Sequence, residues 1–476
     1  MRRESRTGAT CDIRTVAAGL RLAAVVASVA LAASCRDSAG PEPVGSLLDR
    51  LNALPGVVAQ EIAPLNGYPR EFQLDITQPV DHDNPSGPTF TQRAYLSHVS
   101  ESAPMVFAPS GYGSGPNAGN EVAWILQGNN LSVVHRYFPD ARPASLDWQY
   151  LDIRQAAADH HRIVSLLKGI YTGAWVSTGS SKGGETVLFH RRSWPDDVDA
   201  TVAYVAPLLE AVGDERFPPW VRSRGTPADR AAILDFQRRL LERKADLLDD
   251  YEAWFDSRGI TFSLPVGPGF ESAVTSYEFN FWQRHVYTAA QIPGPTASDA
   301  ELIGHLADVV RLEFDGDVWR DYFSAYVYQA LTEIGLPAID SEPLADLLSQ
   351  DSIDTRQAYG FPPALAFDYR PDVMADIVQW VRTRGDRIIL IYGEDDPWTA
   401  GAVGLTGQTD ALEIIQPGAD HQVRIAGLDQ RDAVLAKLSA WLGFPVTIPV
   451  AGAIRAAPPP AEPFRGLDRI DLRTRL

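Results

Sequence analysis

Residues 174–187 read AWVSTGSSKGGETV. A short β-prone run (174–177) enters the pentapeptide Gly179-Ser180-Ser181-Lys182-Gly183, and a segment able to form a helix leaves it. This is the G-x-S-x-G pattern in the strand-turn-helix setting that a nucleophile elbow requires. The central serine of such an elbow sits in a sharp, strained turn, and side chains on the flanking residues would crowd strand against helix, so glycine stands at both ends. Ser181 is therefore the candidate nucleophile.

A serine hydroxyl attacks poorly unless an imidazole takes its proton, and the imidazole needs a carboxylate to fix its tautomer. Downstream, a strand expected over 387–392 runs into Gly393-Glu394-Asp395-Asp396-Pro397-Trp398, and another over 412–415 runs into Pro417-Gly418-Ala419-Asp420-His421. Acid after one strand and histidine after the next, both following the serine, is the chain order of α/β-hydrolases. Asp396 is preferred to Asp395 because it precedes Pro397 at a turn that should aim it inward, so the expected set is Ser181, Asp396 and His421. Upstream, a strand over 104–108 leads into Ser110-Gly111-Tyr112-Gly113-Ser114-Gly115. A glycine loop after this strand is where such enzymes place one oxyanion N–H, the other coming from the residue after the nucleophile. The backbone N–H groups of Tyr112 and Lys182 are assigned those roles.

The rest of the chain fits an α/β fold with a mostly parallel central sheet and an inserted helical cap. Alternating apolar residues over 72–76 and 90–96, with a turn-rich segment between, read as a hairpin at an antiparallel sheet edge. Further strands are expected over 131–134 and 200–206, with a helix over 153–167. His160 and His161 are adjacent on that helix, about 100° apart, which makes them a poor metal pair. From 208 to 379 strand-helix alternation stops, and amphipathic helices over 229–255 and 318–334 appear instead. The expected divisions are a leader (1–34), a tether (35–47), a first core segment (48–207), the cap (208–379), a second core segment (380–450) and a disordered Pro/Arg-rich tail (451–476).

The chain has 476 residues and a formal net charge of −19. Its size suffices for one α/β core plus an insertion. The acidic balance disfavours nucleic acid and anionic membrane as partners, since phosphate binding needs clustered Lys and Arg. Arg2, Arg3, Arg6, Arg14 and Arg21 precede an apolar run over 22–31 that ends in Ala32-Ala33-Ser34-Cys35. That run is too short to span a bilayer and reads as a signal segment; the small residues before Cys35 resemble a lipobox, whose cysteine would be lipidated. The two cysteines, Cys11 and Cys35, both lie in or at the end of this leader. The processed chain then has no internal disulfide, cysteine nucleophile or thiolate metal site, and neither a metal nor another cofactor is expected. Export is expected, to the periplasm or beyond, with membrane contact only through a lipid at Cys35.

Longer stretches resemble a known family. The run from Gly179 to Gly184, His190-Arg191-Arg192, Trp194-Pro195 and Ala203-Tyr204-Val205-Ala206-Pro207 are similar to the secreted bacterial prolyl tri- and tetrapeptidyl aminopeptidases, serine peptidases related to lysosomal Pro-X carboxypeptidases. The likeness extends to Gln78-Pro79-Val80-Asp81-His82, His135-Arg136-Tyr137-Phe138 and Tyr392-Gly393-Glu394-Asp395-Asp396-Pro397-Trp398. The resemblance implies the same three catalytic residues and the release of short peptides from free N-termini, commonly after proline. Two positions depart from the family pattern: Val134 stands where Glu is usual, and Glu185 where an apolar residue is expected.

An aminopeptidase acting on oligopeptide substrates must also hold the substrate's ammonium, for which a partly desolvated cap carboxylate is the natural partner. Glu278 and Glu333 are the candidates, and Phe281, Trp282, Tyr326 and Tyr328 are candidate walls for a proline ring. An esterase using the same three residues, and a non-catalytic binding lipoprotein on the same fold, are the alternative functions.

Overall fold

The computed structural model describes residues 45–116, 119–349 and 353–449. The expected leader, most of the tether and the tail fall outside these residues. The chain divides into a unit ending at Asp49 and a unit from Arg50 onward. In the first, Ser46 and Asp49 exchange hydrogen bonds, the Ser46 N–H donating to Asp49 Oδ2 at 2.9 Å and the Asp49 N–H to Ser46 Oγ at 3.2 Å.

The second unit is built on a nine-stranded sheet. In chain order its strands are β1 (Val57–Ile62), β2 (Arg70–Pro79), β3 (Thr89–His98), β4 (Met105–Pro109), β5 (Asn129–Val133), β6 (Trp175–Ser180), β7 (Ala200–Tyr204), β10 (Ile388–Gly393) and β11 (Leu412–Gln416). Their spatial order is β1-β2-β3-β5-β4-β6-β7-β10-β11. The pairs from β1 to β5 are antiparallel, and those from β5 to β11 are parallel. The central parallel strands β7 and β10 read as largely apolar runs because helices cover both their faces: all six residues of β10 and all five of β7 are buried. The 72–96 hairpin is β2–β3, as the alternation indicated, and β1 adds an edge that was not anticipated. Because β4, β6, β7, β10 and β11 run parallel, the segments that follow them all leave from one rim.

The insertion has its own core, in which Phe236, Leu240, Tyr251, Phe270, Tyr277 and Leu306 are buried together. The chain leaves and re-enters through a two-stranded parallel ribbon, β8 (Val212–Asp214) and β9 (Leu336–Pro337). The amphipathic run expected over 229–255 is two helices, Pro227–Glu242 and Lys244–Asp256, broken at Arg243. Apolar periodicity persists through the break because both helices face the same core. The aromatic helix Asp317–Gln329 ends in a π-helical turn, Ala330–Ile334. The helix Pro371–Arg384 packs Met374, Ile377 and Val381 against Leu188 of the helix Lys182–Ser193 and Ile388 and Leu390 of β10. Sheet-covering structure therefore resumes at Pro371 rather than at residue 380. These features make the α/β-hydrolase fold with an inserted helical cap.

Candidate active site

The strand β6 delivers Ser181 at φ 56° and ψ −131°, a conformation that non-glycine residues rarely adopt and that costs on the order of 1–3 kcal/mol. Two backbone bonds hold it there: the Ser181 N–H donates to Tyr204 O at 2.9 Å, and the Glu185 N–H donates to Ser181 O at 3.0 Å. The close packing expected at the ends of the pentapeptide falls on Gly179 and Gly184. A Cβ on Gly179 would collide with the carbonyl of Gly183, and one on Gly184 would lie 2.8 Å from both Tyr204 O and Ala206 Cβ. Gly183 itself would accept a Cβ at ordinary contact distances, since the strand crosses the helix one residue later than the motif suggests.

Asp396 follows β10 and His421 follows β11, on the rim where Ser181 stands. His421 Nδ1 lies 2.7 Å from Asp396 Oδ2, and both side chains are buried, at 1% and 0% exposure. A carboxylate only accepts, so this contact places the proton on Nδ1 and leaves the Nε2 lone pair as the basic site. The other Asp396 oxygen accepts the Trp398 N–H at 3.1 Å, fixing the carboxylate at the start of the turn that Pro397 opens. Asp395 faces the cap instead, 4.0 Å from Arg224 and 3.6 Å from His285.

The loop after β4 lies against the elbow. A Cβ on Gly111 would sit 2.6 Å from the Lys182 carbonyl carbon, so only glycine permits this approach. The Lys182 N–H opens the elbow helix, where no intrahelical acceptor exists for it. The Tyr112 N–H, by contrast, donates to Ser110 Oγ at 2.9 Å. Its expected oxyanion role thus requires it to release Ser110. The Gly113 N–H is tied to Tyr322 Oη at 2.8 Å, which braces the loop against the aromatic helix.

The Lys182 side chain is buried, with Nζ 5.9 Å from the Tyr112 ring centroid. Burial lowers its pKa, and burial raises that of the equally enclosed Glu185 three residues on. In place of the apolar residue anticipated at 185, a buried carboxyl group stands one helical turn from Ser181.

The two ammonium-anchor candidates have different surroundings. Glu333 is buried and committed to protein groups: Oε2 accepts the Ile153 N–H at 2.7 Å, starting the helix Ile153–Leu167, and Oε1 pairs with Arg370. Desolvation still pushes its carboxyl up to about 7. Glu278 is partly buried, and its carboxyl is raised by desolvation and then by Asp340. The aromatic candidates are split. Tyr326 packs edge-on to Tyr112 with centroids 5.7 Å apart, whereas the ring neighbours of Tyr328 are Trp148 and Phe361, deeper in the same aromatic cluster. Phe281 lies in the cap core, and Trp282 packs on it and on His285.

The cap also touches the acid and histidine loops through residues that motif reading passed over. Arg224 Nη1 donates to Glu394 O at 2.6 Å, and the His421 N–H donates to Gln283 O at 3.1 Å. No local pattern marks Arg224, which reads as one more surface arginine until the fold brings it to residue 394.

Comparison with known proteins adds the family. The sequence profile described as PS-10 peptidase S37 matches residues 39–474. The chain is 33% identical over 466 residues to the prolyl tri/tetrapeptidyl aminopeptidase of Streptomyces mobaraensis, covering 96% of each chain. Among solved structures it is similar to a proline iminopeptidase from Mycobacterium smegmatis, at 14% identity, 77% and 98% coverage of the two chains and a TM-score of 0.34. Another is the 2-hydroxy-6-oxo-6-phenylhexa-2,4-dienoate hydrolase of Rhodococcus sp. strain RHA1, at 14% identity, 81% and 99% coverage and a TM-score of 0.30. Matched along nearly all its length, and carrying a serine elbow on the rim that also holds a buried histidine-carboxylate pair, the chain belongs to the PS-10 peptidase S37 family of serine peptidases.

Proposed function

We propose that the protein is an exported serine exopeptidase that releases tri- or tetrapeptides from free N-termini, often after proline. The observation that supports this most is the 2.7 Å bond between His421 and Asp396 in a peptidase whose 33%-identical relative bears that activity in its name. Ser181 Oγ attacks the scissile carbonyl while His421 Nε2 takes its proton. The imidazolium so formed is stabilised by Asp396, and the oxyanion by the N–H of Lys182 together with that of Tyr112 once it leaves Ser110. His421 then protonates the leaving amine, the C–N bond breaks, and the departing polypeptide leaves an acyl-enzyme on Ser181. Water, deprotonated by His421, attacks that ester and frees the short peptide and the serine.

The substrate ammonium is assigned to Glu278, whose carboxylate has not been spent on a cap of another helix as that of Glu333 has. A cation beside it would favour the ionised form that burial now opposes. The cap above the rim restricts entry to chain ends, and Tyr326 and Trp282 are the aromatic surfaces assigned to the proline ring. Oligopeptides are the partners, and the acidic surface argues against nucleic acid. Anchoring through Cys35 is supported by the leader alone and is tested by palmitate incorporation with and without Cys35→Ser.

Chromogenic tripeptides ending in proline, offered with free and with acetylated N-termini beside a short acyl ester, test the activity. The free peptides are expected to turn over at least tenfold faster than their blocked twins, and Glu278→Gln to raise KM for the free ones alone. Equal turnover of free and blocked peptides removes the exopeptidase assignment, and hydrolysis of the ester alone would make the protein an esterase.

A further inference from the structure

Glu121 opens the short helix Glu121–Leu126, which follows the oxyanion loop. The sequence explains it blandly: Asn120 caps the helix with its side chain, and an acidic residue in the first turn suits the helix end. The structure gives its carboxylate further work. It is 6% exposed, and its oxygens take three hydrogen bonds from two distant parts of the chain. Oε2 accepts from Tyr204 Oη at 2.8 Å and from the Ile425 N–H at 2.9 Å, and Oε1 accepts from the Ala426 N–H at 3.0 Å.

Each donor leads to a reacting group. Tyr204 ends β7, and its own carbonyl receives the Ser181 N–H that keeps the nucleophile in its strained conformation. Ile425 and Ala426 lie four and five residues after His421, at the end of the segment that presents the imidazole. One buried side chain, on the element that follows the oxyanion loop, thus joins the backbone support of Ser181 to the histidine loop. We propose that Glu121 is a positioning residue that sets the separation of Ser181 and His421. The inference rests on the reading of Ser181 and His421 as nucleophile and base.

Carboxylate chemistry suits this task. Two oxygens, both acceptors, can face two consecutive backbone N–H groups and still receive a phenol. A glutamine keeps the shape but presents an NH2 to one of those N–H groups, so it loses a bond and places two donors together. A displacement of the base by a fraction of an ångström mainly affects the step in which the proton moves, leaving peptide binding intact.

The test compares wild type, Glu121→Gln, Tyr204→Phe and Ile377→Ala, the last a cavity variant on the sheet-covering helix that lowers Tm without touching the rim. The readouts are Tm, kcat and KM on a free-amine tripeptide substrate, and the rate at which a fluorophosphonate labels Ser181, which needs no ammonium anchor. Glu121→Gln is expected to lower kcat and the labelling rate together by about tenfold, with KM within twofold, the size expected for loss of one charge-assisted bond. Ile377→Ala is expected to match or exceed its loss of Tm with kcat unchanged. Labelling and kcat within twofold of wild type in Glu121→Gln, or the same loss of rate in Ile377→Ala, overturns the inference and leaves Glu121 purely structural. If Glu121→Gln does not fold, Tyr204→Phe decides: about a threefold fall in kcat at constant KM supports the role, and unchanged kcat refutes it. Failure of the wild type to label at Ser181 would instead remove the underlying assignment of the nucleophile.

Discussion

Glu333 shows how much of a residue's meaning lies outside its neighbours in sequence. Its place near the end of an aromatic helix made it a candidate for the substrate ammonium, yet its carboxylate holds the Ile153 N–H and pairs with Arg370. Burial outweighs that pairing and raises its pKa from the usual 4.5 to about 7. A carboxyl raised in the folded state keeps its proton where the unfolded chain has released it. Its contribution to stability is therefore fully present below about pH 4.5 and is lost as pH rises through about 7. Replacing Glu333 by Gln should remove this pH-dependent contribution. Urea midpoints between pH 5 and 8 should show wild type losing on the order of 1–3 kcal/mol relative to Glu333→Gln. Parallel pH dependences would show that the carboxyl is ionised throughout. Asp395 and Asp396, neighbours in one turn, illustrate the same point: one contacts cap residues and the other the histidine. The inward aim of Asp396 was legible because proline fixes the next residue's backbone, whereas the partners of Asp395 depend on how the cap folds.

The elbow was legible as an element because its chemistry is local. A β-prone run, a serine at the centre of G-x-S-x-G and glycines where strand meets helix leave few other conformations. Its one misreading concerned which glycine packs tightly, and that depends on how β7 lies behind the helix, a tertiary fact. Gly179→Ala puts a methyl group onto the Gly183 carbonyl, so strand and helix must part. A loss of about 2–4 kcal/mol is expected, with activity falling more than a hundredfold because the turn that presents Ser181 cannot close. Thermal unfolding and kcat check this; a variant with wild-type values would mean that the elbow tolerates a conformation other than the one described. The cap was harder to read. Helical periodicity located its helices but missed the break at Arg243, because apolar spacing continues across it, and it missed the β8–β9 ribbon, whose strands are three and two residues long.

At the scale of the whole molecule, chain order and sheet order combine to assemble the site. Ser181, Asp396 and His421 are separated by 215 and 25 positions, and the first gap contains the cap. They share a rim because β6, β10 and β11 run parallel, so each turn leaves from the same end. The shared rim was foreseeable, since the order serine, acid, histidine constrains the topology. The braces across it, Glu121 beneath the histidine loop and Arg224 from the cap, were not, because contacts between segments far apart in the chain leave no periodic trace in either one. The direct test of the convergence is the rate of covalent fluorophosphonate labelling, read by intact-protein mass in wild type, Ser181→Ala and Asp396→Asn. One adduct on wild type, none on Ser181→Ala, and a rate reduced about 10³–10⁴-fold in Asp396→Asn are expected. Labelling that survives in Ser181→Ala, or that is as fast in Asp396→Asn as in wild type, would contradict the account.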